Sequence, residues 1–221
     1  MFKLTILKKV FEISFIKTIW INAKYFGWGG VIHPCLIVSK NVDLKNLSGK
    51  VVVEDKTVEK IWLGFGNIGF INVKYDRMIW DVAGEIKFKD TASFSPGCKI
   101  VCMKKGKIYF GSNFSCNANS RIISNEKIIF GDHCMISWDC TFMDTDFHKI
   151  FNNLNTQMNT DQQIKIGNYV WICCDCVVLK GSVIPDNVVV SARSTLHGIL
   201  KESNCIYKNH TKIKSEVRWE N

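Results

Sequence analysis

The sequence predicts an all-β protein in which short parallel strands wind into a three-sided coil, with a helical segment before it and a cap after it. Three observations carry that reading. A large aliphatic residue returns every six positions at Ile166, Ile172, Val178, Ile184, Val190 and Leu196. Four positions after each of the first five stands a small or β-branched residue: Val170, Cys176, Ser182, Val188 and Ser194. The register recurs upstream at Phe130, Ile136 and Phe142, with Cys134 and Cys140 in the small position, and more loosely at Val82, Phe88, Phe94 and Ile100, with Ile86, Ala92 and Cys98. Phe110, Cys116 and Ile122 resume it after an interruption at Met103 to Tyr109.

A period of six is neither the 3.6 of an amphipathic helix nor the 2 of a lone half-buried strand. It suits strands that meet at corners, each side sending one large side chain inward and placing one small residue where the chain turns. Stacked coils pair their backbones and share one apolar column, so no single repeat has to be stable alone.

Before the repeat, Phe2, Ile6, Val10, Ile13, Lys17 and Trp20 fall at helix-like intervals across residues 2–22, while apolar residues also occupy other faces. A helix there is expected to pack on the coil or on a neighbouring subunit, with a weak membrane-surface association as the alternative for a segment rich in lysine and aromatics. Gly27, Gly29, Gly30 and Pro34 mark a break, and Leu36 to Val38, Lys50 to Val53 and Ile61 to Leu63 read as early strands. From Cys205 the repeat ends and Lys208, Lys212, Lys214 and Arg218 appear, which suits a cap over an otherwise open strand edge. The expected division is a helical segment at 1–30, the coil at 31–204 with a polar excursion at 144–163, and a cap at 205–221.

The formal charge of +9 suits an anionic partner without choosing among CoA phosphates, an acidic glycan, a membrane surface or nucleic acid. The basic residues are scattered and no recognition motif accompanies them, so nucleic acid is not the expected partner. Lys8, Lys9, Glu12, Lys17 and Lys24 interrupt the apolar amino terminus, which argues against a transmembrane span and a secretory signal. The expected location is the cytoplasm. The ten cysteines are then read as small buried residues, not a disulfide framework.

The excursion at 144–163 begins Asp144-Thr145-Asp146-Phe147-His148. A polar loop of about 20 residues inside a regular solenoid is uncommon unless it has a function or is disordered. An imidazole accepts a proton near neutral pH, so His148 is the candidate general base, with Asp144 or Asp146 near enough in sequence to fix its tautomer.

The run from Ile136 to His148 resembles the stretch in bacterial polysaccharide O-acetyltransferases that ends in their catalytic histidine. Ile166-Gly167-Asn168-Tyr169-Val170-Trp171-Ile172 is similar to that family's I-G-x-x-V-W-I element. The chain thus resembles the hexapeptide-repeat acyltransferases, whose fold is a left-handed parallel β-helix.

The resemblance implies a homotrimer that moves an acetyl group from acetyl-CoA directly onto a sugar hydroxyl of a surface polysaccharide or its precursor, with His148 as base and no metal. It implies that Trp171 lines the donor and acceptor site and that the Cys173 or Cys174 N–H polarises the thioester carbonyl. Ala192 would lie in the turn that accommodates the pantetheine arm, Arg193, in place of a common glycine, would meet a CoA phosphate or sit in solvent, and Lys212 and Lys214 would meet the nucleotide phosphates. Asn117, Trp138 and Asp144 are the candidates on the acceptor side. Cys173 stands where relatives usually carry glycine, which opens the alternative of a reactive thiol. Two further readings stay open: a non-catalytic glycan-binding or scaffold β-helix, and an N-acyltransferase acting on an amino sugar. A metal-dependent hydratase is disfavoured because His33, His133, His148, His197 and His210 lack the HxxxxH spacing of that branch.

Overall fold

The structure, a computed structural model, describes residues 10–55, 60–66 and 69–220. Its strands form three parallel sheets that are the faces of a prism. Face one has nine strands and begins with Leu36–Val38, face two has seven and begins with Val42–Asn46, and face three has six and begins with Lys50–Val53. The three early strands expected from the sequence are therefore present, one of them opening face one and another face three.

The register explains why the repeat is regular late and loose early. Trp171 pairs with Val189, 18 residues on, as three sides of six require. Ser115 pairs with Met135, 20 on, and Ala92 with Phe114, 22 on. Between Phe88 and Leu196 the surplus falls at one place, the corner where face two passes into face three: Ile100 to Phe110, Ile122 to Phe130 and Phe142 to Ile166 all cross it, whereas the earlier passages Val53 to Leu63 and Leu63 to Trp80 are lengthened at the other two corners. Val82 is out of register, since it pairs with Cys102, and the inward equivalent of Ile100 is Trp80.

The corners have a backbone signature. The third residue after the inward one sits at positive φ in Asn113, Asn119, His133, Asp139, Tyr169, Asp175, Asn187 and Arg193, and in Gly97 and Gly181. Left-handed backbone is tolerated best by Gly, Asn and Asp, which is why those types recur there.

Inside the prism every residue of the late aliphatic series is buried, with 1% exposure at most. The upstream coils fill the same space with aromatic rings. Phe88 stacks on Phe110 at 5.0 Å and Phe110 on Phe130 at 5.5 Å, while Phe94 and Phe114 lean against the column. Phe114 occupies a small position, and the neighbouring large position holds Cys116, so local volume is conserved. All ten cysteines are free thiols; eight are buried, and Cys173 and Cys174 are half-buried.

The amino-terminal helix departs from the expectation. It is α1, Phe15–Ile32, with Ser14 as its N-cap and a kink at Gly27 (φ 63°, ψ −153°), a conformation suited to glycine. Phe2 and Ile6 lie outside the described residues. Val10 and Trp20, expected on an inward stripe, are 46% and 54% exposed. The inward face instead carries Thr18, Ile21 and Asn22.

The reason is the open strand edge beneath. Thr18 Oγ1 accepts from the Val38 N–H, Asn22 Oδ1 accepts from the Cys35 and Leu36 N–H groups, and Asn22 Nδ2 donates to the Leu36 carbonyl. Backbone at the end of a solenoid needs hydrogen bonds more than apolar cover.

At the other end, Ile206–Lys208 adds one more parallel strand to face one. Thr211–Lys214 then folds back antiparallel and closes it.

Candidate active site

Half of the candidate site residues stack at the corner between faces one and two. The pairing of Cys116, Ile136, Ile172 and Val190 on successive coils places Asn117, Ser137, Cys173 and Ser191 in one row. Trp138, Cys174 and Ala192 form the next row. The Asp175 N–H donates to the Trp138 carbonyl and the Arg193 N–H to the Cys174 carbonyl, which fixes the spacing of these turns. Trp138 is 39% exposed, and Phe70 meets it edge-on at 5.7 Å. Asn117 is half-buried.

Beside this corner, Trp171 lies on the outer side of face one. Its Nε1 donates to Ser137 Oγ on the preceding coil at 3.0 Å. Trp219, from the carboxyl-terminal tail, lies 6.0 Å from the Trp171 ring and donates to the Tyr169 carbonyl. A cavity of about 510 Å³ at the third corner, lined by His133, Tyr169, Arg218 and Trp219, contains none of the candidate catalytic, donor or acceptor residues.

The two candidate oxyanion donors separate clearly. The Cys173 N–H donates to the Val190 carbonyl at 2.9 Å as part of the ladder between coils, so it has no free direction toward a thioester. The Cys174 N–H has no partner among the described residues. Burial raises the Cys173 thiol to about 11, with Cys176 and Cys174 pushing the same way. That is opposite to the shift an activated thiol needs.

His148 lies at a different corner. The excursion leaves face two after Thr141–Met143 and returns to face three at Ile164–Ile166, so it enlarges the irregular corner of the earlier coils. Asp144 anchors its base. Completely buried, it accepts from Ser124 Oγ at 2.6 Å and from the Asn125 and Glu126 N–H groups. This corrects the expectation of an acceptor contact: both carboxylate oxygens hold the turn of the coil before.

Asp146 also has a different role from the one expected. Its carboxylate takes Lys180 Nζ at 2.5 Å and Asn159 Nδ2 at 2.9 Å, and not the imidazole. These two partners, Lys180 first, hold Asp146 below the usual carboxylate range. Asn159 Nδ2 also donates to the His148 carbonyl. The loop is thus pinned through backbone and carboxylates, while the exposed His148 ring makes no hydrogen bond among the described residues.

On the phosphate side, Lys212 is committed to Glu202, with contacts of 2.8 and 2.6 Å that raise its pKa, so it is not a free cation. Lys214 is exposed. Arg193 is exposed as well, with Asp175 at 3.5 Å as a loose partner. Lys208, read from the sequence only as part of the cap, donates to the Ala192 and Arg193 carbonyls and ties the last coil to this corner.

Ser137, Asn159, Lys180 and Trp219 are the other contributors missed. Only Lys180 left a trace: Met143 pairs with Leu179, so one full coil after Asp144 comes Lys180, next to the mouth of the loop. No group of three or more His, Cys, Asp or Glu gathers in metal-holding geometry among the described residues.

No family model matches the chain. WbbJ of Escherichia coli (strain K12), provisionally named a lipopolysaccharide biosynthesis O-acetyl transferase, is 27% identical over 133 residues, which is 56% of this chain and 67% of that protein. Among solved structures, the polySia specific acetyltransferase NeuO superposes with a TM-score of 0.63 at 19% identity, over 84% of this chain and 76% of its own. A variant of AntD, an N-acyltransferase from Bacillus cereus in complex with dTDP and Coenzyme A, gives 0.51 at 16% identity, over 84% and 83%. The fold shared with these structures is the left-handed parallel β-helix.

Proposed function

We infer that this chain, a member of the hexapeptide-repeat acyltransferase family, is an acetyl-CoA-dependent O-acetyltransferase that acts in the cytoplasm on a sugar hydroxyl of a surface polysaccharide or its precursor. The observation that carries the reading is His148. It stands on a loop pinned by Asp144 and by the Asp146–Lys180 pair, yet its own ring is left unengaged by the described residues. A loop built to hold an imidazole in place without using it suits a general base.

The chemistry follows from that geometry. His148 takes the proton of the acceptor hydroxyl as its oxygen attacks the thioester carbonyl. The C–S bond breaks, and the imidazolium returns the proton to the departing thiolate. The Cys174 N–H is the donor left for the developing oxyanion. Trp171 and Trp138 supply flat apolar walls, one for the pantetheine arm and one for a sugar ring.

This reading also supports a homotrimer. His148 and the Cys174 column lie at opposite edges of face two, separated by a side of six residues at about 3.3 Å each, so one chain holds both parts too far apart to act on one thioester carbonyl. Three copies about an axis, each setting its looped corner against the next copy's Cys174 corner, would form three complete clefts.

His148→Ala should lower the turnover number by about 10²- to 10⁴-fold while leaving CoA affinity and the melting midpoint unchanged. The comparison to make is steady-state acetyl transfer to a purified glycan against calorimetric CoA binding. Turnover within about tenfold of the parent would remove His148 from the mechanism.

A further inference from the structure

The polarity of helix α1 is inverted for a helix that packs only on its own domain. Its inward side spends Thr18 and Asn22 on the free backbone of the first coil. Its outward side presents Phe15 at 64% exposure, Ile16 at 82%, Ile19 at 51%, Trp20 at 54%, Trp28 at 82% and Ile32 at 68%. The first four recur at the spacing that keeps side chains on one helical face. Single exposed apolar residues are ordinary, but four neighbours on one helical face, with Trp28 and Ile32 exposed beyond the kink at Gly27, are not.

The charge around the band selects its partner. Residues 1–41 contain six lysines and one glutamate. Two copies docked band to band would bring two positive segments together, which disfavours self-association. Lys17 is drawn inward and donates to the Lys40 and Val42 carbonyls, whereas Lys24 stays exposed. Tryptophans on a lysine-flanked apolar face are suited to the boundary between headgroups and acyl chains. No described helix is long and apolar enough to cross a membrane.

We propose that the amino-terminal end of the prism docks on an anionic lipid surface, with the outer face of α1 lying in the plane of the interface. Trp20 and Trp28 enter the headgroup layer, and Lys24 meets the lipid charge. The prism then stands with its capped carboxyl-terminal end away from the lipid. This proposal does not depend on the acetyl-transfer reading.

Sedimentation of the full chain with vesicles of phosphatidylcholine alone, or with about 30% phosphatidylglycerol, tests it. The expected result is partitioning at least about tenfold stronger to the anionic vesicles, and a loss of about tenfold or more in Trp20→Ser/Trp28→Ser. That variant should keep the parent melting midpoint. Lys24→Glu should weaken only the binding that depends on phosphatidylglycerol. A parent chain that stays in the supernatant with both vesicles would overturn the proposal, as would a double variant that pellets like the parent. If the double variant instead lowers the solution mass while neither protein pellets, the band joins copies of this chain and the lipid assignment is wrong.

Discussion

At His148 and its neighbours, the division of labour among carboxylates has measurable consequences. Lys180 holds Asp146 ionised and depresses its pKa below the value it has in the unfolded chain. The anchor is therefore fully present above the ordinary carboxylate range and is lost as pH falls through the depressed value. Hydrogen exchange over residues 147–159 should be slow and flat between about pH 5 and 8 after correction for intrinsic rates, and should rise below about pH 4. Lys180→Ala should give fast exchange at every pH, and it should raise KM for the acceptor more than it lowers kcat. Cys173 supplies a second test at this scale. With its thiol held at about 11 and no cation beside it among the described residues, Cys173→Ser should retain transfer within about threefold, measured as kcat/KM. A drop of about a hundredfold or more would restore the acyl-enzyme alternative.

Among the elements, the aromatic column is the most sensitive. Phe110 stacks between Phe88 and Phe130 and also touches Phe94 and Phe114, with no exposed surface. Phe110→Ala should cost about 3–5 kcal/mol in chemical denaturation, near the upper end for core truncations, because stacked coils cannot collapse around the gap. Much of this interior was legible in the sequence, since a six-residue rhythm admits only one inward set once the turns are known. Trp80 escaped because two extra residues at the corner between faces two and three shift the count, and Val82 took its place. Helix α1 escaped for a different reason. Its buried face is chosen by hydrogen bonds to the first coil, so Thr18 and Asn22 point inward and the apolar periodicity points out. The roles of Asp144 and Asp146 were likewise hidden. Proximity in sequence to His148 suggested both, whereas their partners Ser124 and Lys180 come from the coils on either side.

For the whole molecule, the candidate residues of a single chain divide between two edges of face two, one carrying His148, the proposed base, and the other Cys174, the proposed oxyanion donor. Multi-angle light scattering should give three times the 25.3 kDa chain mass. Mixing inactive His148→Ala chains with chains disabled at the Cys174 corner should restore part of the activity after subunit exchange, because some clefts then combine two intact halves. A monomer with full activity would contradict the divided site.

Between Phe88 and Leu196 every surplus residue is confined to the passage from face two to face three, which gives that part of the scaffold a seam. Added length there leaves the pairing of the other two edges in step, as the 18-, 20- and 22-residue coils show. Lengthening or exchanging the segment at that seam is therefore thermodynamically mild, growing only logarithmically with its size. An inherited stack of coils can then take a new loop at that seam without relearning how to fold.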